Sequence, residues 1–178
     1  MFGIRNLYKV FGVKKYYEEH AHEYENPHAP QIRRLLKQNE KLINYTRVLD
    51  LACGNGEVTK VLKELGYENM EGADPYTWKK YHALTAQHSY NLSFQDVIRG
   101  QLEGRFSAII SSFAMHLVPP KNLYMLVHEL FRHTDTVVII TPHKQPKLEK
   151  IKGVILSHQD FTLTPRGKKV YLKVYKHA

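Results

Sequence analysis

The chain has 178 residues, 43% of them apolar, with a mean hydropathy of −0.45 and a formal net charge of +9. That is enough for one domain with a buried core, and no apolar run approaches the ~20 residues that span a bilayer. The single Cys53 excludes internal disulfides, and Arg5 and Lys9 interrupt what would otherwise be a signal-peptide core, so a reducing, cytoplasmic location is expected.

Residues 1–44 read as a helical segment in two pieces, broken at Asn26-Pro27, with Ile32, Leu35, Leu36 and Ile43 as the apolar stripe of the second. Residues 45–178 then alternate strand and helix. Val48 to Leu51 is an apolar strand carrying a carboxylate, Asp50. It is followed by the small-residue loop Ala52-Cys53-Gly54-Asn55-Gly56 and a helix with Val58, Val61, Leu62 and Leu65 at i, i+3, i+4 and i+7. Gly54 and Gly56 lack Cβ atoms, so a ligand could lie on the backbone where strand turns to helix. Dinucleotide-binding loops run G-x-G-x-x-G and place a pyrophosphate on the helix N-terminus. Here Thr59 stands at the third glycine position and Asp50 would repel phosphate, which favours a ligand with cationic groups and no phosphate.

A second strand, Met70 to Ala73, ends in Asp74-Pro75, where nucleotide-binding α/β folds keep a carboxylate for ribose hydroxyls. Leu92 to Val97 reads as a third strand containing Asp96. A fourth, Phe106 to Ser111, leads into Ser112-Phe113-Ala114-Met115-His116. Pro119-Pro120 opens a helix carrying Leu123, Leu126, Val127, Leu130 and Phe131. Thr136 to Ile140 is a fully apolar fifth strand, followed by Thr141-Pro142-His143 and a short stretch rich in Lys and Pro. Val154 to Leu163 and Val170 to Tyr175, joined through Pro165-Arg166-Gly167, form a hairpin.

The Asp50-to-Gly56 segment resembles motif I of the class I methyltransferases, D/E-x-G-x-G-x-G, with Ala52 replacing the first glycine. Together with Asp74 and Asp96, the resemblance covers roughly Tyr16 to Tyr175. It implies an α/β, Rossmann-like, seven-stranded and mostly parallel sheet finished by an antiparallel C-terminal hairpin strand, in order 3-2-1-4-5-7-6, with helices on both faces. It also implies one methyltransferase domain over 1–178, in which residues 1–44 form a helical lid over a core of residues 45–178. The cofactor implied is S-adenosyl-L-methionine, held by Asp50, Ala52, Cys53, Gly54, Gly56, Asp74, Pro75, Asp96, Val97 and Ser111. Tyr16, Tyr17 and Tyr24 from the lid would close the site, and Tyr24 or Arg33 would meet the methionine carboxylate. Cys53 is expected to pack rather than react.

His116 and His143 follow neighbouring strand ends and are the candidate general bases, needed only for an acceptor protonated at working pH. Ser111-Ser112-Phe113-Ala114 is not the Asn/Asp-Pro-Pro-Tyr/Phe signature of enzymes that methylate exocyclic base or glutamine amines. The acceptor expected is therefore a small molecule bearing a hydroxyl, another nitrogen or a carboxylate. His20, His22 and His28 lack the Cys or close second cluster of a metal centre, so no metal is expected. Residues 141–178 hold nine Lys/Arg against Glu149 and Asp160, and this basic end suits RNA or an acidic protein partner as the alternatives, with no membrane role. A non-catalytic partner protein that keeps the fold is a further alternative.

Overall fold

The computed structural model describes residues 27–178; Tyr16, Tyr17, His20, His22 and Tyr24 lie outside the described residues. Its strands are β1 (Val48–Leu51), β2 (Met70–Ala73), β3 (Ser89–Tyr90), β4 (Ala108–Ser112), β5 (Thr136–Thr141), β6 (Val154–Leu163) and β7 (Lys169–His177). They form one sheet in the order β3-β2-β1-β4-β5-β7-β6. The first five strands run parallel, and β7 closes antiparallel on both β5 and β6. The helices are α1 (Ala29–Gln38), α2 (Glu57–Glu64), α3 (Trp78–Thr85), α4 (Phe94–Ile98) and α5 (Pro120–Phe131). The expected fold is the one observed.

Two cores separate the helices by face. Val48, Ile110, Val138, Ile140, Leu172 and Val174 point to α1 and α2, where Ile32, Leu35, Leu36, Val58, Val61 and Leu62 meet them. Leu49, Leu51, Ile109, Val137 and Ile139 point the other way, to Val97 of α4 and Leu126, Val127 and Leu130 of α5. Each central strand is buried on both faces, so its sequence is a continuous apolar run rather than an alternating one. Within that run Asp50 is the one charge, and it falls on the α2 face.

Two local features differ from the sequence reading. Leu92 to Val97 is not a strand: β3 ends at Tyr90, and Ser93 caps α4. The Ser93 Oγ accepts from the Asp96 N–H at 3.1 Å while an Asp96 carboxylate oxygen accepts from the Ser93 N–H at 2.9 Å, a capping box that competes successfully with extended pairing. Second, α1 is part of the core: Ile32, Leu35 and Leu36 are fully buried against α2 and the β6–β7 hairpin. No described residue of 27–44 lines the cavity described below, so this part of the expected lid is a structural helix.

The link from β5 to β6 is short, as the sequence suggested; it contains a single 3-10 turn, Leu148–Lys150, and β7 pins it from beneath. The Lys173 ammonium donates to the Lys144 carbonyl at 2.8 Å, the Tyr175 hydroxyl donates to Glu149 at 3.0 Å, and Leu148 is fully buried.

Candidate functional site

The turn from β1 into α2 is built from left-handed residues. Ala52, Gly54 and Gly56 have φ of +56°, +53° and +83°, and the Gly56 N–H donates to the Cys53 carbonyl at 2.8 Å. Gly56 is required by a protein contact: a Cβ there would lie 2.7 Å from Thr85 Cγ2 and 3.1 Å from the Tyr81 ring. On β2, a Cβ at Gly72 would lie 2.5 Å from the same ring. The two glycines therefore seat Tyr81, which is fully buried, and α3 closes down on the loop.

The Tyr81 hydroxyl is 2.7 Å from the Thr59 hydroxyl, which donates to Asp50 Oδ2 at 2.9 Å. The Thr59 N–H donates to the same oxygen at 3.3 Å. Asp50 thus braces the loop from below, and burial holds its carboxyl well above the usual carboxylate range. Burial also pushes the Cys53 thiol up, so it stays protonated and packs.

Above this turn, at the C-terminal ends of the parallel strands, opens a cavity of about 300 Å³. Its floor is Leu51 to Gly54. One wall is Asp74, Pro75 and Tyr76 with Leu92 to Gln95 and Ile98. The other runs from Ser112 to Ala114 and from Leu117 to Pro119, with Asn122. Open α/β sheets bind ligands at this position.

Asp74 is fixed by three backbone donors: Tyr76 at 2.8 Å and Thr77 at 3.0 Å on one oxygen, Gly54 at 3.3 Å on the other. Glu57, in the first turn of α2, brings a second carboxylate to the lining. Among the described lining residues there is no Lys, Arg or His. The cavity therefore combines two carboxylates with apolar walls, a setting for a flat apolar ring, hydroxyls and positive charge, and a poor one for phosphate.

Of the cofactor residues expected from sequence, Ala52, Cys53, Gly54, Asp74 and Pro75 line this cavity. Others do not. Asp50 and Gly56 act one layer below. Asp96 is held in the capping box, where hydrogen bonds from Ser93 keep its carboxyl below the usual range. Val97 is fully buried in the α4–α5 core, and Ser111 is buried while its neighbour Ser112 faces the cavity. Arg33 sits on the solvent side of α1, one position from the buried stripe, and pairs with Glu64 at 2.6 Å. Tyr24 lies outside the described residues.

His116, in the 3-10 turn Met115–Leu117, and His143, beyond β5, come together with ring centroids 4.7 Å apart. Neither lines the cavity, though Ala114 and Leu117 on either side of His116 do. Phe113 does line it, in a left-handed conformation (φ +56°), stacked on His28 at 4.6 Å. Sequence reasoning missed Glu57, Tyr76 and Phe94. The Ser93-x-x-Asp96 pattern was the available signal for Phe94, since it places that residue at the start of a helix facing the strand ends. Among the described residues no cluster of His, Cys, Asp or Glu could hold a metal, and no helix is long and apolar enough to cross a membrane.

A family model described as a methyltransferase domain matches residues 18–154. The chain is 27% identical over 183 aligned positions to the Uncharacterized protein C17A5.05c of Schizosaccharomyces pombe, covering 78% of this chain and 74% of that one. Among solved structures, a SAM-dependent methyltransferase from Anabaena variabilis superposes with a TM-score of 0.69 at 13% identity, over 100% of this chain and 96% of that one. The magnesium protoporphyrin IX methyltransferase ChlM of Synechocystis, with bound SAM, gives 0.64 at 15% identity, over 97% and 95%. The N-methyltransferase NodS of Bradyrhizobium japonicum, in complex with S-adenosyl-L-homocysteine, gives 0.65 at 9% identity, over 82% and 86%. The chain belongs to the methyltransferase-domain family and has the fold of the class I S-adenosylmethionine-dependent methyltransferases.

Proposed function

We propose that the protein binds S-adenosylmethionine in the cavity above Ala52 to Gly54 and transfers its methyl group to a compact nucleophilic group, an oxygen, nitrogen or carboxylate, presented at the cavity mouth. The carrying observation is charge: Glu57 and Asp74 line the cavity without a lysine, arginine or histidine among the described residues. The cofactor supplies a methyl carbon activated by a sulfonium, and it also carries an ammonium and no phosphate. Asp74, held by three backbone donors, keeps an oriented carboxylate toward ribose hydroxyls at no further ordering cost. Glu57 offers the counter-charge for the cationic end.

The apolar wall of Leu92, Phe94, Ile98, Leu117 and Val118 excludes water from the adenine side. Near-attack positioning, rather than strong acid–base chemistry, is the main task of such a site. His116, between the lining residues Ala114 and Leu117, packs on His143, and an imidazole of this pair could take the acceptor's proton. One solved neighbour named for its substrate, the magnesium protoporphyrin IX methyltransferase, favours a small acceptor.

Incubating the full chain with S-adenosylmethionine labelled in its methyl group, together with a cell extract fractionated by size, tests this reading. Label should appear in one acceptor fraction and vanish in the Asp74→Ala variant. Label that accumulates equally with and without the protein would refute it.

A further inference from the structure

The outer half of the β6–β7 hairpin presents a bare sheet face. On the side that α4 and α5 cover elsewhere, Gln159, Phe161 and Leu163 of β6 lie opposite Lys173, Tyr171 and Lys169 of β7. Loop 142–153 covers only the inner end, over Lys173 and Tyr175. Beyond it the two apolar side chains of β6 stay open among the described residues: Phe161 is 45% and Leu163 47% exposed. Polar partners go to the opposite face, where His158 and Asp160 bond Asn39 and Thr162 bonds Arg34.

The bare face is aromatic and basic together. Lys169 Nζ lies 4.3 Å from the centroid of the Phe161 ring, and the Phe161 and Tyr171 rings are 6.4 Å apart, while Lys173 is buried under the loop. From Phe161 to the C-terminus the chain has five Lys/Arg and no Asp or Glu. Lys144 and Lys147 stand in the adjoining loop, where Glu149 is bonded by Tyr175. The face also has a direction. Tyr171 pairs with Thr141 at the C-terminal end of β5, and Ile140 pairs with Ser112, which lines the cavity.

We infer that this face is a docking platform for single-stranded RNA, with bases stacked on Phe161 and Tyr171 and phosphates met by Arg166, Lys168 and Lys169. Unpaired RNA bases are characteristically bound on aromatic side chains of an open sheet face. Stacking a base on an aromatic ring is worth about 1–3 kcal/mol, whereas an exposed lysine–ring contact is worth about 0.5–1 kcal/mol. Lys169 therefore gains by leaving the Phe161 ring for a phosphate while a base takes its place. An acidic protein surface would satisfy the lysines but leave the two rings without a role. RNA laid on this face would run toward the mouth of the cavity. That last step rests on the methyl-transfer reading; binding to the platform does not.

Fluorescence anisotropy of the full chain with labelled oligouridylate tests the platform. The expected result is saturable binding whose log affinity falls with log salt by about 0.7 per phosphate contacted. Phe161→Ala should weaken it at least about fivefold, from the lower bound of the stacking energy. Lys169→Glu should weaken it and flatten the salt slope, with the thermal unfolding of both variants and their binding of S-adenosylhomocysteine unchanged. Equal affinity for an abasic strand or for polyglutamate, tighter binding of oligodeoxyuridylate, or unchanged binding by folded Phe161→Ala and Lys169→Glu would each overturn it. Because S-adenosylhomocysteine binding is read separately, failure of the platform and failure of the cofactor site are distinguishable.

Discussion

Thr59 turns both of its donors onto a single oxygen of Asp50, the hydroxyl at 2.9 Å and the backbone N–H at 3.3 Å. The same hydroxyl meets the buried Tyr81 phenol at 2.7 Å. A carboxylate in the family's signature position thus works as the keystone of strand, loop and helix, without touching the cavity. Replacing Thr59 with Val keeps the volume and removes the hydroxyl, stranding polar atoms of Asp50 and Tyr81. A loss of about 1–3 kcal/mol in unfolding free energy is expected, read by urea titration. An unchanged midpoint would show that the network does not brace the loop.

The raised carboxyl of Asp50 links stability to pH. Its folded pKa lies well above its unfolded one because burial disfavours the charge. Between the unfolded value of about 3.9 and the higher folded one, the folded state binds more protons, so this contribution is fully present below about 3.9 and is lost as pH rises through the folded value. Asp50→Asn removes the titration. The stability of the wild type relative to Asp50→Asn should therefore fall as pH rises above the unfolded value of about 3.9. A wild-type advantage that grows over the same range would reverse the assignment.

Gly72 is a steric requirement of Tyr81 rather than a ligand contact. A methyl group there would lie 2.5 Å from Cε1 and 2.6 Å from Cζ of a fully buried ring. Gly72→Ala should cost about 1–3 kcal/mol by overpacking, visible as a lowered thermal midpoint. Combining it with Tyr81→Leu should recover part of the loss, whereas additive losses would show that the clash is not with this ring.

Asp74 and Asp96 are both acids near strand ends, and they should behave differently. Asp74→Ala removes the acceptor of three backbone donors and a carboxylate of the cavity, and S-adenosylhomocysteine affinity should drop about tenfold or more, since hydrogen bonds to charged groups are worth about 1.5–3 kcal/mol. Asp96→Ala breaks a capping box and should cost about 1 kcal/mol of stability. Its calorimetric affinity for the same ligand should stay within about twofold. A tenfold loss in Asp96→Ala would restore it as a cofactor contact.

Ala52 occupies a left-handed position where the family motif has glycine. Holding a Cβ there costs roughly 1–2 kcal/mol, partly offset by glycine's larger unfolded-state entropy. Ala52→Gly should be neutral to stabilising by up to about 1 kcal/mol in chemical denaturation. A clear destabilisation would mean that the alanine methyl packs productively in the floor.

Most strands and the hairpin were legible in the apolar runs and the Pro-x-Gly turn, whereas the sheet order and the helices on both faces came from the resemblance carried by the Gly-x-Gly loop and the acids that follow it. The roles of individual acids were less legible. Asp50, Asp74 and Asp96 look alike along the chain, but one is buried under the loop, one faces the cavity and one caps a helix. Those fates depend on Thr59, on the turn at Tyr76-Thr77 and on Ser93, partners whose geometry exists only after folding. The carboxylates that line the cavity are Glu57 and Asp74, not Asp50, on which the sequence reading rested the case against phosphate. Arg33 illustrates the opposite error: its charge suggested a ligand, while its place beside the Ile32 and Leu36 stripe put it against Glu64 in solvent.

The most direct test is calorimetric titration of the folded full chain with S-adenosylmethionine and, in parallel, with NAD. A cavity lined by Glu57 and Asp74 should give single-site heat with S-adenosylmethionine, lose it in Asp74→Ala, and give none with NAD. Heat with NAD and none with S-adenosylmethionine at sub-millimolar protein would contradict the assignment of this cavity to a cationic methyl donor.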